Sequence, residues 1–232
     1  MVVVAVRSMV FATDTRNFTM KKCRTSDDLS HFVRKMKYII NHMNDEESQL
    51  HFQFQFQTIA DFEKIPIQAD TLYVLDFDET VTYYDGIDHD WWKARIEHYY
   101  SLHECYDTAD NYALDDWLAR VEYLDPQHVD QDGYRKIIEH CESEPNSHVV
   151  ILTARNIKLE DITKKHLQQL SPDSKVDIIF CNGEHKGEQM QQYIDLHELD
   201  YEHIIFVDDR LQNLVDFKST HADAQCFHMI FK

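Results

Sequence analysis

Two aspartates one residue apart close an apolar run: residues 72–75 are Leu-Tyr-Val-Leu, and Asp76, Phe77, Asp78 and Glu79 follow. Like charges so close together repel, so the pattern needs a reason. Three further apolar runs end in polar residues in the same way. The run 149–152 is followed by Thr153, Ala154 and Arg155, the run 176–180 by Asn182-Gly183 and then Lys186-Gly187, and the run 204–207 by Asp208, Asp209 and Arg210. Gathered at one place, these groups would combine two acid clusters, a hydroxyl and a lysine. Carboxylates clustered in this way repel unless a cation sits among them. All-oxygen donors favour Mg²⁺, which uses one or two carboxylates plus substrate phosphate. A paired aspartate also suits catalysis, with one carboxylate ionised as nucleophile and its neighbour protonated as acid.

That gathering demands a particular scaffold. The four apolar runs are short and continuous, and helical patterns lie between them: Ile162, His166, Leu167 and Leu170 in one, Met190, Tyr193 and Ile194 in the next. Such alternation implies a parallel sheet covered on both faces. Ligands of open parallel sheets bind beyond the carboxyl ends of the strands, where all four polar groups fall. The closing QCFHMIFK reads as one more strand. HFQFQFQ at residues 51–57, with Phe52, Phe54 and Phe56 alternating with polar neighbours, reads as a strand with one buried face. More than seventy residues separate the first two core strands, far more than one crossover helix needs. Within them residues 90–124 look helical and aromatic-rich, and Tyr134, Ile137, Ile138 and Cys141 mark the returning crossover helix. The expected fold is therefore α/β: a three-layer, Rossmann-like parallel sheet with a small helical cap inserted after the first core strand. The expected division is an N-terminal helical extension over 1–50, capped at Ser26, and a core over 51–232 with the cap at about 88–130.

Bulk properties narrow the function. With 232 residues and 43% hydrophobic content, the chain suits one domain with an appendage and can bury a core. No apolar run approaches the roughly 20 residues of a membrane span. The opening MVVVAV is too short for the apolar part of a secretion signal, and Arg7 interrupts it. Five scattered cysteines form no CxxC pair, which argues against a disulfide framework or zinc site and fits a reducing compartment. Net charge is −19, distributed unevenly: residues 1–40 carry 8 Lys/Arg against 3 Asp/Glu, and the remainder carries 15 against 39. An acidic body disfavours nucleic acid, whose phosphates need neutralising cations. The basic N-terminal region is a solvated helix face or touches an anionic membrane surface.

The four polar strand ends, taken together, carry a family resemblance. DFDET resembles the DxDx[TV] first motif of the haloacid-dehalogenase-like (HAD) phosphatases, ILTAR their second, Lys186 their third-motif lysine, and IIFVDDR their acidic fourth. The resemblance spans residues 72–210. It implies a Mg²⁺-dependent phosphatase in which Asp76 attacks phosphorus and forms an aspartyl-phosphate. Asp78 would protonate the leaving oxygen and later help to deprotonate water. Mg²⁺ would be held by Asp76, the main-chain carbonyl of Asp78, and the Asp208–Asp209 pair, with Thr153 and Lys186 binding the phosphoryl oxygens. An aspartate two residues after the nucleophile marks the phosphatases and phosphomutases of the family, not its dehalogenases. The layout further resembles a group of such phosphatases from intracellular bacterial pathogens, some acting on protein phosphotyrosine. That implies a cytoplasmic protein or one secreted by a bacterium into a host cell.

Other residues stay open at this stage. Arg155 and Arg210 read equally as substrate contacts or as exposed cations, and Asn213 as an orienter of the acidic loop or a polar helix face. Trp91, Trp92 and the Tyr83–Tyr84 pair are either cap core or a stacking surface for an aromatic leaving group. Residues 85–130 hold 12 acids against 3 bases. This acidity disfavours polyphosphates and nucleic-acid ends and favours weakly charged monoesters or phosphates carried by basic peptides. A small-molecule phosphatase, a phosphotransferase on the same core and a binding module with a degenerate site are the competing readings.

Overall fold

The structure, a computed structural model, describes residues 56–173 and 175–230. The expected helical extension over 1–50, including the helix at Ser26, lies outside the described residues, as do Phe52 and Phe54. In chain order the strands are β1 (Gln57–Ile59), β2 (Thr71–Leu75), β3 (Thr82–Tyr83), β4 (Gln127–His128), β5 (His148–Thr153), β6 (Asp177–Phe180), β7 (His203–Asp208) and β8 (Gln225–Met229). The helices are α1 (His89–His103), α2 (Tyr106–Val121), α3 (Gln131–Ser143), α4 (Glu160–Leu170), α5 (Lys186–Leu196) and α6 (Leu211–Thr220).

Six strands form one sheet in the order β1-β8-β7-β2-β5-β6, and every neighbouring pair is parallel. All five residues of β2 are buried, as expected of a central strand covered on both faces. Successive side chains of a strand point to opposite faces. Tyr73 and Leu75 accordingly join a cluster with Tyr134 and Ile137 of α3 and Leu167 of α4. Leu72 and Val74 join the opposite cluster, with Met190 of α5 and Leu214 and Phe217 of α6. The fold is thus α/β in three layers, helix–sheet–helix.

Of the strand expected over 51–57, residues 51–55 lie outside the described residues; among the described ones β1 begins at Gln57 and pairs with β8 at the sheet edge. Sequence and structure differ at β4, two residues without an apolar pattern, which pairs antiparallel with β3 through Thr82↔His128 and Tyr83↔Gln127. This ribbon brackets the helical pair α1–α2. Asp88 starts α1 by accepting from the Trp91 N–H at 2.8 Å, and the left-handed Glu104 (φ 51°) ends it. Tyr84, Ile87, Trp117, Val121 and Leu159 form a third, separate cluster beneath these helices.

Among the described residues no helix is long and apolar enough to cross a membrane. Of the described cysteines, Cys141, Cys181 and Cys226 are free thiols.

Candidate active site

Sheet register builds the centre of the site. Leu75 lies opposite Val207 on one side and Ile151 on the other. The Asp76 N–H then donates to the Val207 carbonyl at 2.9 Å, which sets Asp76 beside the end of β7 and next to Asp208. Oxygens from Asp76, Asp208 and Asp209 lie within 4.8 Å of one another. Lys186, the first residue of α5, donates from Nζ to Asp76 Oδ1 and to Asp208 Oδ2, the latter at 2.7 Å. Its seat depends on close helix packing. A Cβ on the next residue, Gly187, would come within 2.7 Å of Thr220 Oγ1 and 3.0 Å of the Asp216 carbonyl oxygen, so only glycine lets α5 approach α6 there. Asn213 Nδ2 donates to both Asp208 oxygens at 2.9 and 3.0 Å, and the Arg210 N–H adds a third bond at 2.8 Å.

Charge in this cluster is under-compensated. Asp76 is 5% exposed, Lys186 3%, and Asp208 is fully buried. Burial raises Asp76 above the usual carboxylate range; Lys186 pulls it down, and Asp208 and Asp78 push it further up. Asp209 is likewise raised by burial and then by Asp208 and Asp76, with Lys186 opposing. Burial alone would lower Lys186, but Asp208 and Asp76 outweigh it, and its pKa rises. The lysine therefore keeps its proton, and the shortage is of positive charge: one cation serves three acids. The oxygen-only donor set and this residual negative charge fit a metal ion.

Two residues further on, at Asp78, a second polar network matches one acid to one base. Arg155 holds Asp78 by two bonds, Nε to Oδ2 at 2.8 Å and Nη2 to Oδ1 at 2.7 Å. The same guanidinium donates to Thr163 Oγ1 at 3.0 Å and Tyr84 Oη at 2.8 Å. Tyr84 Oη in turn lies 2.8 Å from His166 Nδ1. Because the Tyr84 oxygen accepts from Arg155, its own hydrogen points to His166, which fixes the neutral tautomer with hydrogen on Nε2. The rings of Phe77, Trp117 and Tyr84 surround the guanidinium at 4.7, 5.1 and 5.9 Å. Arg155 is thus buried, not one of the exposed cations, whereas Arg210 is exposed.

The remaining candidates fall into place around these two networks. Thr153 is buried at the end of β5, and its Oγ1 accepts from the Arg155 N–H at 3.2 Å, which leaves the hydroxyl hydrogen free. Trp91 and Trp92 pack against the third cluster: Trp92 tilts against Trp117 at 6.0 Å, and Arg95 and Arg120 flank the Trp91 ring at 5.4 and 5.7 Å. Thr163 and His166 were not singled out as site residues. Their only sequence signal is a helical spacing that reads as core.

A family described as "Protein of unknown function (DUF2608)" matches residues 175–232, which include Lys186, Asp208 and Asp209 but not Asp76. No curated protein matches the chain significantly. Among solved structures, one described as the crystal structure analysis of a dehalogenase is similar at 12% identity and a TM-score of 0.44, over 71% of this chain and 86% of that one.

Proposed function

We propose that this protein is a Mg²⁺-dependent phosphomonoesterase that works through an aspartyl-phosphate on Asp76. The observation that carries this reading is the under-compensated cluster: Asp76, Asp208 and Asp209 within 4.8 Å of one another, with a buried lysine shared between two of them. Asp76, Asp208, Asp209 and the main-chain carbonyl of Asp78 would hold the ion. Bound there, Mg²⁺ supplies positive charge to the phosphoryl oxygens and favours the ionised, nucleophilic form of Asp76. Lys186 lies against the nucleophile and offsets the repulsion between a carboxylate and a phosphate dianion. The free hydrogen of Thr153 is a donor for a phosphoryl oxygen. Asp78 takes the proton of the water that cleaves the intermediate. A carboxylate nucleophile divides a very slow hydrolysis into two easier steps.

Protein phosphotyrosine is the substrate we place first, and a small-molecule monoester second. A phosphotransferase on the same core is the other reading. It is favoured by Trp117 of α2, whose ring lies 5.1 Å from the Arg155 guanidinium and so brings the inserted helices onto a residue that touches Asp78. The test is phosphate release from phosphotyrosine and phosphoserine peptides, sugar phosphates and nucleotides, with Mg²⁺, with chelator, and with Asp76→Asn. Turnover that needs the metal and disappears in Asp76→Asn supports the phosphomonoesterase. Activity that survives Asp76→Asn rejects this nucleophile, and transfer to an added alcohol selects the phosphotransferase.

A further inference from the structure

Resting on the metal site of that reading, we propose that His228 is a positioning residue for it. By donating to the Asp209 main-chain carbonyl, His228 aims the Asp209 carboxylate at the ion.

The three acids of the site are not held alike. Asp208 accepts from Lys186, twice from Asn213 and once from the Arg210 N–H. Asp76 accepts from Lys186. The half-buried Asp209 receives no hydrogen bond on its carboxylate from any described residue, yet an oxygen of it lies within 4.8 Å of the other two acids. Like charges at that range repel, and without a donor to hold it the side chain would swing away. Its direction must therefore come from the main chain.

The main chain around Asp209 is clamped on both sides. Before it, Asp208 lies opposite His228 in the β7–β8 ladder. After it, the peptide unit joining Asp209 to Arg210 is bonded at both of its polar ends. The Arg210 N–H donates to Asp208 Oδ1 at 2.8 Å, and the Asp209 carbonyl lies 2.8 Å from His228 Nε2. A carbonyl only accepts, so this ring carries hydrogen on Nε2. A peptide unit is planar, so two bonds in different directions fix its orientation, and the direction of the Asp209 Cβ follows. With His228 removed, one bond remains, and its acceptor is a carboxylate that must also face the ion.

Sheet order makes His228 a firm anchor. It sits on β8, an interior strand with β7 on one side and β1 on the other, where it lies opposite Thr58. A donor carried by a paired strand places its partner more precisely than one carried by a loop. The alternative role for such a histidine is to tie off a loop carbonyl and support the fold alone. Partners one step behind a ligand affect metal affinity; a simple tie-off affects stability.

The experiment is a calorimetric titration of Mg²⁺ into the metal-free full chain, as wild type, His228→Leu and His228→Gln, with urea unfolding of each metal-free protein alongside. His228→Leu occupies the space of the ring without a donor and should weaken Mg²⁺ binding about 10-fold or more. His228→Gln carries an amide donor near the place of Nε2 and should bind within about threefold of the wild type. Reduced metal-free stability with unchanged Mg²⁺ affinity in His228→Leu marks a tie-off and overturns the assignment. Equal loss of affinity in both variants overturns it too, because the hydrogen bond is then not what matters. A check that needs no variant keeps the proposal open to refutation if His228→Leu does not fold. Ring-nitrogen chemical shifts of the wild type should place the His228 hydrogen on Nε2, and a hydrogen on Nδ1 alone would sink the proposal. A folded wild-type protein that takes up no Mg²⁺ would instead overturn the metal site itself, and this inference with it.

Discussion

The cluster around Asp76 and the network around Asp78 stand one residue apart on the chain and are both built from acids paired with one base. They differ in how completely that base satisfies them. Lys186 is divided between two carboxylates with a third nearby, and burial together with the neighbouring acids raises the pKa values of Asp76 and Asp209 against its pull. Arg155 meets a single carboxylate and places two further donors on Tyr84 and Thr163. A buried cluster short of positive charge is poised to take a cation, whereas one that is already neutral holds a shape. On this reading the first is where binding and chemistry occur and the second fixes a geometry.

The sharpest way to break this comparison is Asp76→Asn. It should reduce metal-dependent phosphate release by at least about 10³-fold, measured with enzyme in excess so that a slow first turnover is still seen. Next in size is removal of the shared cation. Lys186→Met leaves buried carboxylates uncompensated and should cost about 3–5 kcal/mol in metal-free denaturant unfolding. Added Mg²⁺ should recover part of that loss. Arg155→Met should cost less, about 1–3 kcal/mol, because Asp78 is partly solvated, and Mg²⁺ should recover none of it. Equal recovery in the two variants would erase the distinction between the networks.

A smaller change separates holding the ion from reacting with substrate. Asn213 bonds both oxygens of Asp208 and neither those of Asp76 nor those of Asp209. Asn213→Ala should therefore weaken metal binding by about 10- to 100-fold, read by calorimetric titration, with the fold intact.

The two networks were also unequally legible in the sequence. Asp76, Asp208 and Lys186 follow apolar strands, and parallel strands in register deliver their ends to one edge, so order along the chain nearly determines proximity. Arg155 has no such rule. Its inward orientation depends on Phe77, Tyr84, Trp117 and Thr163, which come from four separate segments and whose side chains could equally have been packing alone. The inserted helices, by contrast, are legible as the helical, aromatic-rich stretch over 90–124, where α1 and α2 lie, although the ribbon that brackets them is not. Their apolar residues serve a small cluster of their own, separate from the sheet's two, and β4 is too short to carry a period.

His166 gives the mildest test, and it probes the far end of the paired network. Burial lowers its pKa to about 4, with Arg155 and Lys165 adding to the effect and Asp78 and Asp125 opposing it. With hydrogen already on Nε2, which is enclosed without a partner, a second proton would have to go to Nδ1 and displace the Tyr84 hydrogen, so it gains nothing in the folded state. The unfolded chain, with a histidine near 6.5, binds that proton more readily. Stability from this group is therefore full above pH 6.5 and falls as pH drops towards 4, by about 2 kcal/mol at pH 5. Other groups respond to acid in the same window, Asp76 among them, so the quantity to measure is a difference. Urea unfolding of the wild-type protein and of His166→Gln at pH 7.5 and pH 5 should show the wild type losing about 2 kcal/mol more. Parallel losses in the two proteins would mean that the histidine is not held neutral, and that the chain of bonds from Asp78 ends at Tyr84.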